Sequence, residues 1–262
     1  MPIAPLPDLN LHYRLDGPAD GPVVVFAHAL GTDLRIWDQV LPHLPSSLRL
    51  LRYDMRGHGL SDAPAAPYAM GALVTDAERL LDHLKIRDCV FVGLSIGGMI
   101  AQGLAVKRLD LVRGMVLSNT AARIGNAALW DDRIATVQRD GIEALADATM
   151  ERWFSPAFRA TPELHQWRTM LTRTPVQGYA GCAAAISGTD FLSTTATLTL
   201  PTLAIAGSED GSTPPDMVRE TADLIRGSRF HLMRGAGHLP CVENPAAFAA
   251  TLRDFLTSIG HA

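Results

Sequence analysis

Short apolar runs alternate with longer amphipathic segments along most of the chain. Continuous runs such as Val23–Ala27 and Leu203–Ala206 are typical of strands that are buried on both faces. Between such runs, apolar residues recur at helical spacing, as they do from Leu73 to Leu84. Strands that alternate with helices predict an α/β fold with a mostly parallel sheet covered on both faces.

The same pattern locates the predicted elements of the core. The predicted strands are Leu9–Leu15, Val23–Ala27, Leu48–Tyr53, Val90–Val92, Gly114–Ser118, Leu203–Gly207 and Arg229–Met233. The predicted helical segments are Trp37–Leu44, Leu73–Leu84, Met99–Val106, Met217–Ile225 and Phe248–Ile259. Asn244 is predicted to cap the last helix, with Pro245 in its first turn.

A change of pattern interrupts this alternation in the middle of the chain. From Arg123 to Thr189 strand-like runs give way to four predicted helices, Trp130–Arg139, Ile142–Phe154, Glu163–Thr172 and Val176–Ile186. We therefore expect an α/β core of residues 1–122 and 190–262, with residues 123–189 inserted as a helical cap.

Composition narrows the classes of partner and compartment. The 262 residues carry a net charge of −4, which favours neither nucleic acid nor an anionic membrane as a partner. No apolar stretch is long enough to span a bilayer, and the first residues do not form a signal peptide. Three widely spaced cysteines argue against a disulfide framework or a zinc site. We expect a cytoplasmic protein.

The strongest chemical signal is Gly93-Leu94-Ser95-Ile96-Gly97, which is a Gly-x-Ser-x-Gly motif between a predicted strand and a predicted helix. This context predicts a sharp turn that presents Ser95 as a nucleophile. Side chains at Gly93 and Gly97 would collide with the neighbouring helix and strand. The helix start also places the N–H of Ile96 beside the serine, as a candidate donor to an oxyanion.

A serine nucleophile needs a histidine base, and that base needs an acid to orient it. His238 follows the last predicted strand, and Asp210 follows the strand before it, which gives the order nucleophile, acid, base. Glu209 is an adjacent alternative, but Asp210 is the shorter group at the loop position. Asn119, which follows another strand, cannot serve as a carboxylate.

The second oxyanion donor is expected from the loop that follows Val23–Ala27. Its simplest candidate is the N–H of Leu30, with His28 tying the loop down. We interpret His58, in a glycine-rich loop, as a residue that stabilises a turn.

Together these motifs resemble the α/β-hydrolase superfamily over the whole chain. The resemblance is carried by His28–Gly31, Asp54–Gly59, Gly93–Gly98 and the loops of Asp210 and His238. More narrowly, residues 93–103, 117–122 and 235–243 resemble the 3-oxoadipate enol-lactonases of aromatic-compound degradation.

The resemblance implies a reaction and a site. Ser95 would attack the ring carbonyl of a five-membered enol lactone while His238, oriented by Asp210, takes its proton. The N–H groups of Leu30 and Ile96 would hold the oxyanion, and 3-oxoadipate would be the product. The resemblance implies no cofactor and no metal, and only a small-molecule lactone or ester as partner.

The carboxylate of such a substrate needs a cation or several hydrogen-bond donors. Cap arginines that could supply one are Arg123, Arg133, Arg139, Arg152, Arg159, Arg168 and Arg173. Trp130 and Arg133 are three residues apart on one predicted helix and share a face, so we expect them to line the pocket. Each arginine has the alternative of being a solvated surface charge.

Two other functions remain open from the sequence. One is a general carboxylesterase or lactonase that acts on another small acyl substrate. The other is a lactone-binding receptor built on a hydrolase scaffold, because a fold alone does not establish turnover. Multiple turnovers of a lactone would distinguish an enzyme from a receptor.

Overall fold

A single eight-stranded sheet organises the protein in a computed structural model, which describes residues 2–262. Its strands are β1 (Ile3–Pro5), β2 (Asn10–Asp16), β3 (Val23–Ala27), β4 (Arg49–Tyr53), β5 (Cys89–Leu94), β6 (Val112–Ser118), β7 (Thr202–Gly207) and β8 (Arg229–Met233). Their order in the sheet is β1-β2-β4-β3-β5-β6-β7-β8. Strand β2 pairs antiparallel with β1 and β4, and the other neighbours are parallel.

Helices connect the strands and fill the middle of the chain. They are α1 (Met70–His83), α2 (Ile96–Lys107), α3 (Ala127–Asp140), α4 (Ala146–Trp153), α5 (Pro156–Arg159), α6 (Leu164–Thr172), α7 (Val176–Ser187), α8 (Leu192–Thr195), α9 (Pro215–Leu224), α10 (Pro240–Glu243) and α11 (Pro245–Ser258). Within residues 2–262, none of the helices combines the length and the apolar character needed to cross a membrane.

The sheet is sandwiched between helices, as the apolar runs predict. Every residue of β3, β5 and β7 is buried, so both of their faces are covered. Helix α2 packs against β3, β5 and β6. Phe248 of α11 lies 5.8 Å from the ring of Trp37, which in turn lies 5.1 Å from Phe26 of β3. The mostly parallel, doubly covered sheet is therefore confirmed.

The described segment between β6 and β7 contains helices and no strand. Helix α3 packs against α7, and α4 packs against α6, so α3 to α7 form a layer of their own. Helix α7 also contacts α1 of the sheet-covering layer. We call α3 to α7 the inserted helices.

Several local elements differ from the sequence pattern. The predicted helix Ile142–Phe154 begins with a 3-10 turn at Ile142–Leu145 and continues as α4. The predicted segment Trp37–Leu44 consists of two 3-10 turns, Leu34–Trp37 and Leu41–His43, because Pro42 lacks the N–H that a continuous helix needs. The short edge strand β1 carries too few residues to show a period.

Asn244 does precede the last helix, with Pro245 in the first turn, but the predicted side-chain cap is wrong. The Asn244 side chain makes no capping hydrogen bond. Its backbone N–H donates to the carbonyl of Pro240 at 2.9 Å, so the residue also ends α10. This double role holds Asn244 in a conformation that differs from an ordinary N-cap.

The carboxyl ends of five parallel strands meet at one edge of the sheet. Residues at these ends pair across the sheet as Ala27 with Gly93, Leu94 with Ser118, Ser118 with Ile205 and Gly207 with Met233. The loops that leave this edge carry His28–Thr32, Ser95, Asn119, Asp210 and His238. The topology thus gathers the predicted chemistry at one place.

Candidate active site

Ser95 occupies a strained turn between β5 and α2. Its φ of 57° and ψ of −119° are unusual for a residue with a side chain. The turn is fixed because the N–H of Ser95 donates to the carbonyl of Ser118 at 3.0 Å. The hydroxyl of Thr120 donates to the Ser95 carbonyl at 2.6 Å. The neighbouring strand end therefore maintains the strain.

Two glycines allow this turn for the reason that the motif predicts. A Cβ on Gly93 would overlap the backbone carbonyl of Gly97 at the start of α2. A Cβ on Gly97 would overlap the carbonyl of Ala27 at the end of β3. Both obstacles are backbone atoms, so helix α2 approaches the sheet this closely only with glycine at these positions.

Asp210 and His238 form a buried hydrogen-bonded pair. The Nδ1 atom of His238 lies 2.8 Å from Oδ2 of Asp210. Burial would raise the pKa of Asp210, but the charge and hydrogen bond of His238, with hydrogen bonds from Asn119 and Thr213, outweigh burial and lower this pKa. An ionised Asp210 accepts a hydrogen bond from the Nδ1–H of His238 and leaves the Nε2 atom of His238 free to act as a base.

Further donors surround the Asp210 carboxylate. Its Oδ2 accepts hydrogen bonds from Nδ2 of Asn119 at 2.8 Å and Oγ1 of Thr213 at 2.7 Å. Its Oδ1 accepts from the backbone N–H groups of Ser212 at 2.7 Å and Thr213 at 3.0 Å. The sequence excludes Asn119 as an acid. It did not reveal that Asn119 and Thr213 donate hydrogen bonds to Asp210.

Glu209, the alternative acid, is exposed and does not contact His238. Its carboxylate accepts a hydrogen bond from Ser208 at 3.2 Å, and its backbone N–H donates to the carbonyl of Ala236 at 2.9 Å. The loop therefore turns Asp210 inward and Glu209 outward.

Among residues 29–32 of the loop after β3, one backbone amide group has no acceptor. The N–H groups of Ala29, Gly31 and Thr32 donate to Thr32, His58 and Ala29 respectively. Within residues 2–262, the N–H groups of Leu30 and Ile96 have no hydrogen-bond acceptor. These are the two groups that the sequence predicts as oxyanion donors.

Two neutral histidines brace this loop. Nδ1 of His28 donates to the carbonyl of Ala29, and its Nε2 accepts from the N–H of Met55, both at 2.9 Å. Nε2 of His58 accepts from the N–H of Gly31 at 3.0 Å. Burial, followed by the charge of His58, lowers the pKa of His28 to about 3, and burial lowers that of His58 to about 4. Both rings therefore act as fixed hydrogen-bonding struts at neutral pH.

A cavity of about 330 Å³ lies between the sheet edge and the inserted helices. Ser95, His238 and Leu30 line its floor, and Trp130, Arg133, Thr149, Arg152 and Tyr179 are among the residues from the inserted helices that line it. Of the predicted site residues, only Ile96 and Asp210 do not line the cavity. Both are buried beside it, Ile96 directly after Ser95 and Asp210 in hydrogen-bond contact with His238.

The predicted pair of Trp130 and Arg133 shares one face of α3. The guanidinium carbon of Arg133 lies 4.8 Å from the centre of the Trp130 ring. The indole N–H of Trp130 donates to the carbonyl of Ile124 at 2.7 Å, which fixes the ring against which Arg133 rests.

Comparison with known proteins places this geometry in a family. Residues 24–251 match the Alpha/beta hydrolase family. The chain belongs to the α/β hydrolase family. It is 34% identical over 243 residues to 3-oxoadipate enol-lactonase 2 of Acinetobacter baylyi. The matched region covers 92% of this chain and 91% of that protein.

Solved structures agree with this assignment. The hydrolase shares 38% identity and a TM-score of 0.94 with the enol-lactonase from Burkholderia xenovorans LB400, covering 98% of this chain and 100% of that one. It shares 39% identity and a TM-score of 0.93 with a hydrolase from Pseudomonas aeruginosa PA01, covering 97% of each chain. The resemblance to enol-lactonases is therefore confirmed.

The candidate arginines of the hydrolase differ in their position relative to the cavity. Three of them form ion pairs away from the cavity. Arg123 pairs with Asp190, Arg139 with Asp140, and Arg168 with both Glu143 and Asp147. Arg152 lines the cavity beside Arg133 and was not singled out from the sequence. Its position on α4 carried no signal that would separate it from the other arginines.

Across the described residues, no group of three or more His, Cys, Asp or Glu side chains is arranged to hold a metal ion.

Proposed function

We propose that this hydrolase converts 3-oxoadipate enol-lactone to 3-oxoadipate through a Ser95–His238–Asp210 triad. The observation that carries the proposal is that Ser95 and His238 line one cavity with a cation, Arg133. Such a cavity combines an acyl-transfer site with a site for a carboxylate. The proposal includes a core of residues 1–122 and 190–262, a cap of residues 123–189 and action in the cytoplasm. Met1 lies outside the described residues.

In the first half of the reaction, Oγ of Ser95 attacks the lactone carbonyl and Nε2 of His238 takes the serine proton. The N–H groups of Leu30 and Ile96 donate to the oxyanion of the tetrahedral intermediate. When the intermediate collapses, the ring C–O bond breaks and the enolate leaves. His238 gives its proton to the enolate oxygen, which returns the imidazole to its neutral form, and the enol tautomerises to a ketone. Ring opening is therefore easier than cleavage of an alkyl ester.

In the second half, His238 removes a proton from a water molecule that attacks the acyl-enzyme. The bond from the acyl carbon to Oγ of Ser95 breaks, and His238 returns a proton to the serine. The acyl group leaves as a carboxylate, which gives 3-oxoadipate. Asp210 remains ionised and holds the ring of His238 in one tautomer throughout both halves.

Trp130 and Arg133 are proposed to bind the substrate. The indole ring supplies an apolar wall, and the guanidinium faces the free carboxylate of the lactone as a charge-assisted donor. This contact matters because the protein is itself net negative and cannot attract an anion at long range.

The proposal is tested by turnover of purified protein on a panel of lactones and esters that includes the carboxymethyl enol lactone. We expect many turnovers per protein molecule, and the highest kcat/KM on the enol lactone. Preference for a neutral ester would instead identify a general carboxylesterase or lactonase. Binding of lactones without turnover would identify a receptor.

A further inference from the structure

Arg152 occupies a distinctive position at the end of α4. Its side chain lines the cavity that contains Ser95 and His238, and its Nη2 donates to the buried hydroxyl of Thr149 at 3.0 Å. This contact uses one of the five N–H groups of the guanidinium. Other donors of the guanidinium remain for a ligand in the cavity.

The guanidinium groups of Arg133 and Arg152 share one cavity, and neither has a carboxylate partner among the described residues. Within residues 2–262, neither Arg133 nor Arg152 forms an ion pair. Burial lowers the pKa of Arg152, and the charge of Arg133 lowers it further. The smaller effects of Tyr179 and exposed Glu151 raise this pKa but do not offset the decrease. Arginine stays protonated at neutral pH, so the two like charges remain and repel.

Such an arrangement is unfavourable on its own and becomes favourable when an anion binds. Partly buried cations without a counter-ion carry a desolvation cost that a carboxylate offsets. Buried Tyr179 lies beside both arginines, and the charges of Arg133 and Arg152 oppose the effect of burial on its pKa, which remains raised. Tyr179 therefore stays a neutral phenol that can donate to the same anion.

The backbone at Arg152 is fixed to the loops of the proposed acid and base. The carbonyl of Arg152 accepts a hydrogen bond from the N–H of Gly211 at 3.1 Å, directly after Asp210. The carbonyl of Trp153 accepts from the N–H of His238 at 2.7 Å. The backbone of Arg152 is therefore tied to these loops, and the bond to Thr149 orients its guanidinium.

We infer that Arg152 is a specificity-determining residue that, together with Arg133, binds the free carboxylate of the substrate and selects anionic lactones over neutral ones. This inference rests on the proposed function and assigns to Arg152 a contact with the substrate. Two guanidinium groups in one cavity also give the site affinity for dicarboxylates of the product's length, so a six-carbon dicarboxylate binds as an inhibitor.

The first test compares two lactones that differ in the free carboxylate: the carboxymethyl enol lactone, and the same ring with a methyl group in place of carboxymethyl. Arg152→Gln is expected to lower kcat/KM for the anionic lactone by about 10- to 100-fold. For the methyl lactone the loss should stay below about threefold. The matched control is Arg139→Gln, an exposed arginine paired with Asp140, which should change neither value.

The second test measures binding without turnover. Adipate and its neutral diamide are titrated into the Ser95→Ala protein, with and without Arg152→Gln. Adipate affinity should fall about tenfold or more in the double variant, whereas diamide binding should stay the same. Arg152→Lys keeps the charge without the planar fork and should give an intermediate loss.

The outcomes separate this inference from the function on which it rests. Equal losses on both lactones, or an adipate affinity that ignores Arg152→Gln, would overturn the role of Arg152. If wild-type protein turns over neither lactone while adipate binding still depends on Arg152, the proposed reaction is wrong and the anion site stands. Thermal unfolding of each variant shows whether a loss reflects misfolding.

Discussion

The side-chain amide of Asn119 donates a hydrogen bond to the carboxylate of Asp210, although the two residues are 91 positions apart. They leave neighbouring strands, β6 and β7, at the same edge of the sheet. The N–H of Asn119 donates to the carbonyl of Ile205 at 2.8 Å, which fixes its backbone. Asn119 therefore supports the proposed acid, Asp210, which the loop after β7 supplies.

Removal of this donor should slow the chemical step. In Asn119→Ala the carboxylate of Asp210 loses one of the hydrogen bonds that lower its pKa, and it orients His238 less firmly. We expect kcat to fall about tenfold with little change in KM, because the affected group lies behind the histidine. Steady-state kinetics on the enol lactone measure both values.

Glu209→Gln is the matched control for Asn119→Ala, since Glu209 is exposed and does not contact His238. It should keep wild-type kinetics. If Glu209→Gln slowed the reaction and Asn119→Ala did not, the assignment of Asp210 as the acid would be wrong.

A methyl group at Gly97 should damage the nucleophile turn. The Cβ in Gly97→Ala meets the backbone carbonyl of Ala27, which cannot move without disturbing β3. We expect a loss of about 1 to 3 kcal/mol in the free energy of unfolding, measured by denaturant titration.

Gly71→Ala provides the contrast, because Gly71 is exposed on α1 and a Cβ there meets nothing within 4 Å. This variant should be more stable than the wild type by about 0.5 to 1 kcal/mol. Equal effects at the two glycines would show that close backbone approach does not explain Gly97.

Buried His58 should make the protein less stable in acid. Its pKa is about 4 in the folded state and 6.5 in its ordinary state, so between these values the unfolded chain binds a proton that the folded protein does not. The free energy of unfolding should therefore fall as pH decreases through this window, with His58 contributing up to about 1.4 kcal/mol per pH unit.

Denaturant titrations of wild type and His58→Gln between these pH values measure that contribution. Glutamine keeps one donor and one acceptor but takes up no proton, so the pH slope should become shallower. His83→Gln, at an exposed position on α1, should leave the slope as it is. An unchanged slope in His58→Gln would mean that this ring does not stay neutral in the folded protein.

The sequence predicted those features that depend on local pattern. The buried runs of β3, β5 and β7 located the sheet, and the glycines around Ser95 located the sharp turn at this residue. Because parallel strands end at one edge, the loops of Asp210 and His238 could be expected there as well. This topology explains why the sequence alone could predict that residues distant in the chain lie at one site.

Features that depend on contacts between distant segments did not show in the sequence. The bond between Asn119 and Asp210 needs the register of two strands and a φ of 48° at Asn119. Arg152 lines the cavity because α4 ends there, and the sequence does not show where a helix ends relative to a cavity. Asn244 makes no side-chain cap because it also ends the short helix α10. That helix has only 4 residues, too few to show a helical period in the sequence.

The central claim is that Ser95 is the nucleophile of a lactone hydrolase, and Ser95→Ala tests it most directly. The measurement is kcat/KM for the carboxymethyl enol lactone, with thermal unfolding and circular dichroism to show that the fold is intact. We expect a loss of about a thousandfold or more, since only the oxyanion donors and substrate binding remain. Turnover close to the wild-type rate by a folded Ser95→Ala protein would contradict the account.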